Sequence, residues 1–177
     1  DQNMELFATG QMPVLGVPMP DFRNGYATNW GKISGSNIGY LYIYSFSSDW
    51  EQSLGEEYEN AITSFRNDPD LVGFIIDIRM AEGGNTESAI LRLVSSLFNS
   101  SQSYLVSDVR SNPNNHFAMH TERNVNYPGG RLLFDKPIAV LTGPAAISYS
   151  DDFPLLMKHH PMARVFGLPT NGAFGFN

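Results

Sequence analysis

Ser148, Ser150, Asp151 and Asp152 stand together in TGPAAISYSDDFPLLM, Thr142 to Met157, where an apolar run passes through small residues into a helix-like pattern. A strand-to-turn-to-helix junction lifts a serine hydroxyl to the sheet edge. The N–H that follows it, at the helix start, can then face a developing anion. Ser148 is thereby a candidate nucleophile, and Tyr149 a candidate oxyanion donor. The same position also suits plain helix capping, which is the commonest use of serine at such a point. The segment lacks the Gly-x-Ser-x-Gly elbow, because Ala146 and Ser150 occupy its glycine positions. A second site of interest is Gly83-Gly84, behind the apolar run LVGFIIDIR. Adjacent glycines leave backbone N–H groups unscreened near a positive helix end and can hold an oxyanion, or they can simply make a tight turn at positive φ. No Gly-Lys-Ser/Thr follows, so a phosphate loop is excluded.

Bases are less obvious. His116 and His120 lie in the polar stretch NPNNHFAMHTERN, where Pro and Asn argue against a helix, so their spacing does not make a metal pair. As part of a loop between the second helix and the third buried strand, either can act as a base or substrate contact over a cleft, or be a plain surface side chain. His159 and His160 fall at the end of the third helix, where cationic side chains suit the dipole, and both are expected at the surface. Lys158 is ten residues past Ser148, nearly three helical turns, and too far to act on it. Arg79 can pair with Asp77 or bind a carboxylate. The chain has no cysteine, which removes thiolate chemistry and cysteine-held zinc, and no metal or cofactor is expected.

The elements that must position these residues alternate. The stretch 1–37 is rich in Gly, Pro and Asn and reads as an irregular amino-terminal segment with edge strands such as PVLGVPM, Pro13 to Met19. A strand is predicted over Gly39 to Phe46. A helix follows, with Asp49 as N-cap and Trp50, Leu54, Tyr58, Ile62 and Phe65 on one face. LVGFIIDIR reads as a strand buried on both faces. A second helix runs from about Thr86 to Phe98, and KPIAVLTG is the third buried strand. A third helix runs from about Ser148 to His159, and ARVFGLP is a last strand. This order predicts an α/β fold with a mainly parallel sheet, whose ligands sit at the carboxyl ends of the strands. Both conspicuous sites fall at such ends.

The bulk composition limits the function classes. The 177 residues, 42% hydrophobic, suffice for one core. A formal charge of -7 with 11 unclustered basic residues excludes nucleic acid as a partner. No apolar run reaches the roughly 18 residues of a membrane span. The chain begins with Asp and shows no signal peptide, which suggests a processed product or a fragment. The sequon Asn99-Ser100-Ser101 has meaning only in a secreted eukaryotic protein.

Four blocks in order, GYLYIYSF (Gly39 to Phe46), GFIIDIRMAEGGN (Gly73 to Asn85), KPIAVLTGPAAISYSDDF (Lys136 to Phe153) and ARVFGLPTNGAFG (Ala163 to Gly175), resemble the carboxy-terminal processing, or tail-specific, serine peptidases and their tricorn-like and retinoid-binding-protein-like relatives. The resemblance covers about Ile38 to Gly175. It implies a ClpP/crotonase-like core of βαβ units over 38–177 and hydrolysis of peptide bonds in proteins or peptides. It assigns the nucleophile to Ser148, with Ser150 and Asp151 following as candidate substrate or base contacts, and the oxyanion donors to Gly83 or Gly84 and Tyr149. It also implies an extracytoplasmic location. Two departures stand out. Members with a Ser-Lys dyad keep the lysine 25 residues after the serine, where this chain has Ala173, and Ala81 replaces the Asn of Asp-x-Arg-x-Asn-x-Gly-Gly. The base must then come from elsewhere, as in the tricorn-like members, where an upstream histidine supplies it. The alternative is a non-catalytic relative that binds peptides or apolar ligands; acyl-CoA chemistry on a crotonase-like core is a third reading.

Overall fold

The computed structural model describes residues 28–46, 51–84 and 88–173, with the side chains of 51–53, 88, 104–109 and 121–125 outside that set. The PVLGVPM piece, the cap at Asp49, Trp50, and the helix start at Thr86 lie outside the described residues.

Five strands form the main sheet in the order β1-β2-β3-β6-β7. Strand β1 (Thr28–Lys32) pairs antiparallel with β2 (Ile38–Ile43), and every other neighbour is parallel: β2 with β3 (Gly73–Asp77), β3 with β6 (Ile138–Thr142), and β6 with β7 (Ala163–Gly167). The mixed α/β fold with a mostly parallel sheet is therefore as the sequence predicts. Register brings Leu41, Ile76, Val140 and Val165 into one row across four strands. Side chains alternate along each strand, so Leu41, Ile43, Phe74, Ile76, Ile138 and Val140 share the face turned to the helices.

Helices α1 (Glu51–Asn67), α2 (Ser88–Leu97) and α3 (Tyr149–Met157) all contribute to this one core. Leu54, Tyr58, Ile62 and Phe65 of α1 recur at three- and four-residue spacing and are buried, as are Ile90, Val94 and Leu97 of α2. Phe65 and Phe74 pack at 5.2 Å between ring centroids, and Phe46 meets Phe153 of α3 at 6.0 Å. The Lys136 ammonium closes the C-terminal end of α1, donating to the carbonyls of Phe65 (3.2 Å) and Asp68 (2.6 Å). The Asp68 carbonyl also accepts the Leu71 N–H at 3.3 Å, so the turn that follows α1 is held from both sides.

The stretch read as a polar loop between the second helix and the third buried strand is instead a hairpin. Strands β4 (Gln102–Arg110) and β5 (Met119–Tyr127) pair antiparallel as a separate two-stranded sheet. A two-stranded ribbon is marginal by itself, and this one is tied down at its base. Tyr127 is buried in the core and its hydroxyl donates to Asp152 of α3 at 2.6 Å. The far end carries His116 and Phe117, and the latter is 93% exposed.

Candidate active site

Three connections meet at the carboxyl end of the sheet. The first leaves β6. After Thr142 the chain makes a tight turn, with the Ala146 N–H on the Gly143 carbonyl at 2.9 Å, and then reaches Ser148 directly ahead of α3. Ser148 is half-buried and has φ 60°, ψ -122°. It is the sole non-glycine residue at positive φ among the described residues. An N-cap residue normally holds β-region angles, so capping does not account for this backbone. Positive φ in a serine at a sharp strand-to-helix turn is the conformation of a nucleophile elbow, and such strain gathers at functional sites.

The second connection leaves β3. Its first residues anchor it: Arg79 closes a fork on the buried Asp77, with Nη2 at 2.6 Å from Oδ2 and Nε at 3.0 Å from Oδ1, and the Tyr40 hydroxyl donates to Asp77 at 2.7 Å. The carboxylate holds the Arg79 guanidinium charged, while burial and the neighbouring Asp77 push the Tyr40 hydroxyl well above its usual range. Of the two readings of Arg79, the structure displays the pairing. The chain then turns back, the Ala81 N–H meeting the Ile78 carbonyl at 3.0 Å, and threads between two neighbours. On one side Glu82 N–H donates to Tyr44 carbonyl (2.8 Å) and Phe46 N–H to Gly83 carbonyl (2.5 Å); on the other, Ile147 N–H donates to the Ala81 carbonyl (3.1 Å). The departure at Ala81 thus changes a side chain, while the link to the Ser148 turn runs through the main chain.

Gly83 has φ 85° and lies hard against that turn. A Cβ placed on it would come 2.5 Å from the Ile147 carbonyl oxygen, 2.7 Å from Ser148 Cβ and 3.3 Å from Tyr149 N. No side chain larger than hydrogen fits there. Its own N–H has no acceptor among the described residues. Gly83, Ser148 and Tyr149 are therefore brought together, and Gly84 follows at the edge of the described segment.

The third connection leaves β7 and runs beside the first. Leu168 N–H donates to Thr142 carbonyl (3.3 Å), Asn171 N–H to Ala146 carbonyl (2.8 Å), and Gly172 N–H to Asp151 Oδ1 (2.9 Å). The other oxygen of Asp151 accepts the Ser148 N–H at 3.1 Å. Ala173 comes next and is exposed. Ser150 is fully buried and its hydroxyl has no hydrogen-bond partner among the described residues.

The histidines are dispersed. His116 and His120 are exposed, on the turn and second strand of the β4–β5 hairpin, and neither is hydrogen-bonded to Ser148. His159 is at the surface, but His160, expected there too, is buried. Its Nδ1 accepts the Met162 N–H at 3.2 Å, which leaves Nε2–H to donate to the Leu97 carbonyl at 3.2 Å, and its ring stands edge-on to Phe98 at 4.8 Å. The helix ends before this residue, so the chain folds it back onto α2 instead of leaving it on the dipole. Burial holds its pKa below the usual histidine value. The native state thus gives up a proton that the unfolded chain retains near pH 6. Its contribution to stability is complete above about pH 6.5 and is lost as pH falls through the lower folded value. Denaturant midpoints should therefore drop as pH falls below about 6.5, and His160→Gln should flatten that part of the profile; an unchanged slope would remove His160 as its source.

The family model for peptidase family S41 matches residues 37–177. Among solved structures, the chain is similar to a protein of Parabacteroides merdae provisionally classed as a peptidase, at 23% identity and TM-score 0.67 over 83% of this chain and 44% of that one. It is also similar to the photosystem II D1 C-terminal processing protease (18% identity, TM-score 0.56, 77% and 31%). The third is mature CPAF, complexed with lactacystin (18%, 0.57, 78% and 39%). The chain spans less than half the length of each of these structures. No curated protein matches it.

Proposed function

The chain belongs to peptidase family S41, and on that premise we propose that it is the serine-bearing part of a peptidase that hydrolyses peptide bonds in proteins or peptides. The observation that carries this reading is the positive φ of Ser148 with Gly83 packed against it. In this reading Ser148 Oγ attacks the scissile carbonyl carbon and passes its proton to a base. The carbonyl oxygen becomes an oxyanion that accepts from the Gly83 N–H, or that of Gly84, and from Tyr149 N–H. Collapse expels the amine, which takes the proton, and water then releases the acyl group from Ser148. With Ala173 at the dyad-lysine position, the base is a residue outside those described or one on the β4–β5 hairpin, His116 or His120. Residues 38–177 form the ClpP/crotonase-like core in this proposal, with tail-specific substrates and an extracytoplasmic location following from the family resemblance. No helix among the described residues is long and apolar enough to cross a membrane.

Ala173 favours a second reading, a non-catalytic relative that keeps the cleft and binds peptide without cleaving it. A fluorophosphonate separates the two, because it reacts only with an activated serine. The adduct is expected at Ser148 by peptide mapping, in this chain or in a longer form that supplies the base. Absence of any adduct from both forms would overturn the peptidase reading in favour of the binding module.

A further inference from the structure

One carboxylate joins two of the three connections that meet at Ser148. Asp151, 7% exposed, accepts the Ser148 N–H on Oδ2 and the Gly172 N–H on Oδ1. A helix cap needs the first of these bonds and has no use for the second, which comes from a residue 21 positions away. Ser148 holds a strained backbone conformation that survives only where its surroundings over-determine it. Gly172 is also at positive φ, 75°. Asp151 thus ties the strained Ser148 to a glycine in the left-handed region through one rigid group, and charge-assisted bonds accepted by a carboxylate at a helix start are about twice as strong as neutral ones.

We propose that Asp151 is a positioning residue that locks the strap 168–172 to the nucleophile turn, so that the serine's backbone angle and the neighbouring wall of the cleft are set as one unit. With both oxygens engaged and little exposure, Asp151 acts through Ser148 and not on the substrate. The catalytic half of this inference rests on Ser148 as nucleophile; the structural half stands on the two hydrogen bonds alone.

The test has two arms. In backbone amide exchange, Ser148 and Gly172 are expected to open together in the wild-type chain. Asp151→Asn keeps one acceptor but turns an NH2 toward one donor, and should speed exchange at both amides at least tenfold while leaving the amides of α2 unchanged. In inactivation by a fluorophosphonate, Asp151→Asn should lower kinact at least tenfold with KI within twofold. A purely structural cap would reduce the folded fraction and leave kinact of the folded molecules as it was. Gly172 exchange unaffected by Asp151→Asn, or independent opening of the two amides, would overturn the lock. An unchanged kinact would overturn its catalytic consequence. Should the Asp151 variants not fold, the coincidence of the two wild-type amides decides the lock. A wild type that is not labelled would remove the nucleophile reading, and the exchange arm would still decide the lock.

Discussion

Ser148→Ala is expected to abolish peptide turnover and fluorophosphonate labelling while shifting the unfolding free energy by no more than about 1 kcal/mol. Removing a serine nucleophile outright costs on the order of 10⁶-fold in kcat where the rest of the machinery is intact, so the residual rate should be indistinguishable from background. The small effect on stability has a structural reason. The bond that Asp151 makes at this turn comes from the Ser148 backbone N–H, which alanine retains, and Asp151 keeps its second bond to Gly172. Alanine tolerates positive φ no better than serine, so the backbone strain is the same before and after. The opposite pattern, turnover preserved with a stability loss near 2 kcal/mol, is what a capping serine would give, and it would sink the assignment. Intact peptide binding by the same variant would separate lost chemistry from a lost cleft.

The parts of the fold legible in the sequence are those whose signals are local. The apolar run ending at Asp77 and the three- and four-residue spacing of Leu54, Tyr58, Ile62 and Phe65 each report one element without help from the rest of the chain. The β4–β5 hairpin was illegible for the converse reason. MHTERNVNY has no apolar alternation, and the Pro and Asn residues of its connection read as loop. What fixes it is a tertiary contact at its base, Tyr127 on Asp152, which no window of sequence contains. His160 failed similarly: a histidine at a helix end reads as surface unless one knows that Leu97 and Phe98 stand opposite. At the site, a serine at the head of a helix pattern reads equally as a plain cap. The partner of Asp151 at Gly172, and the apposition of Gly83 to Ser148, depend on strands β3, β6 and β7 being neighbours and so appear only in the assembled sheet.

That apposition supports the second large prediction. Gly83→Ala should lower kcat by about 10²- to 10³-fold, the size of effect seen when one oxyanion donor is lost, and should destabilise the fold by roughly 1–3 kcal/mol. Two separate penalties act. The φ of 85° disfavours any L side chain, and the new methyl would stand 2.5 Å from the Ile147 carbonyl and 2.7 Å from Ser148 Cβ. Both atoms belong to the Ser148 turn itself, and relaxation must therefore move either the Gly83 N–H or Ser148. Either displacement separates the attacking oxygen from the donor that receives the oxyanion. Gly35→Ala supplies the control, because Gly35 has φ 74° but open space within 4 Å. It carries the backbone penalty alone, and its kcat should match wild type. If Gly83→Ala folds and turns over within threefold of wild type, the oxyanion donor is not at Gly83. Gly84 and Tyr149 would then have to carry the site, and the close packing at Gly83 would be a requirement of the turn, not of the chemistry.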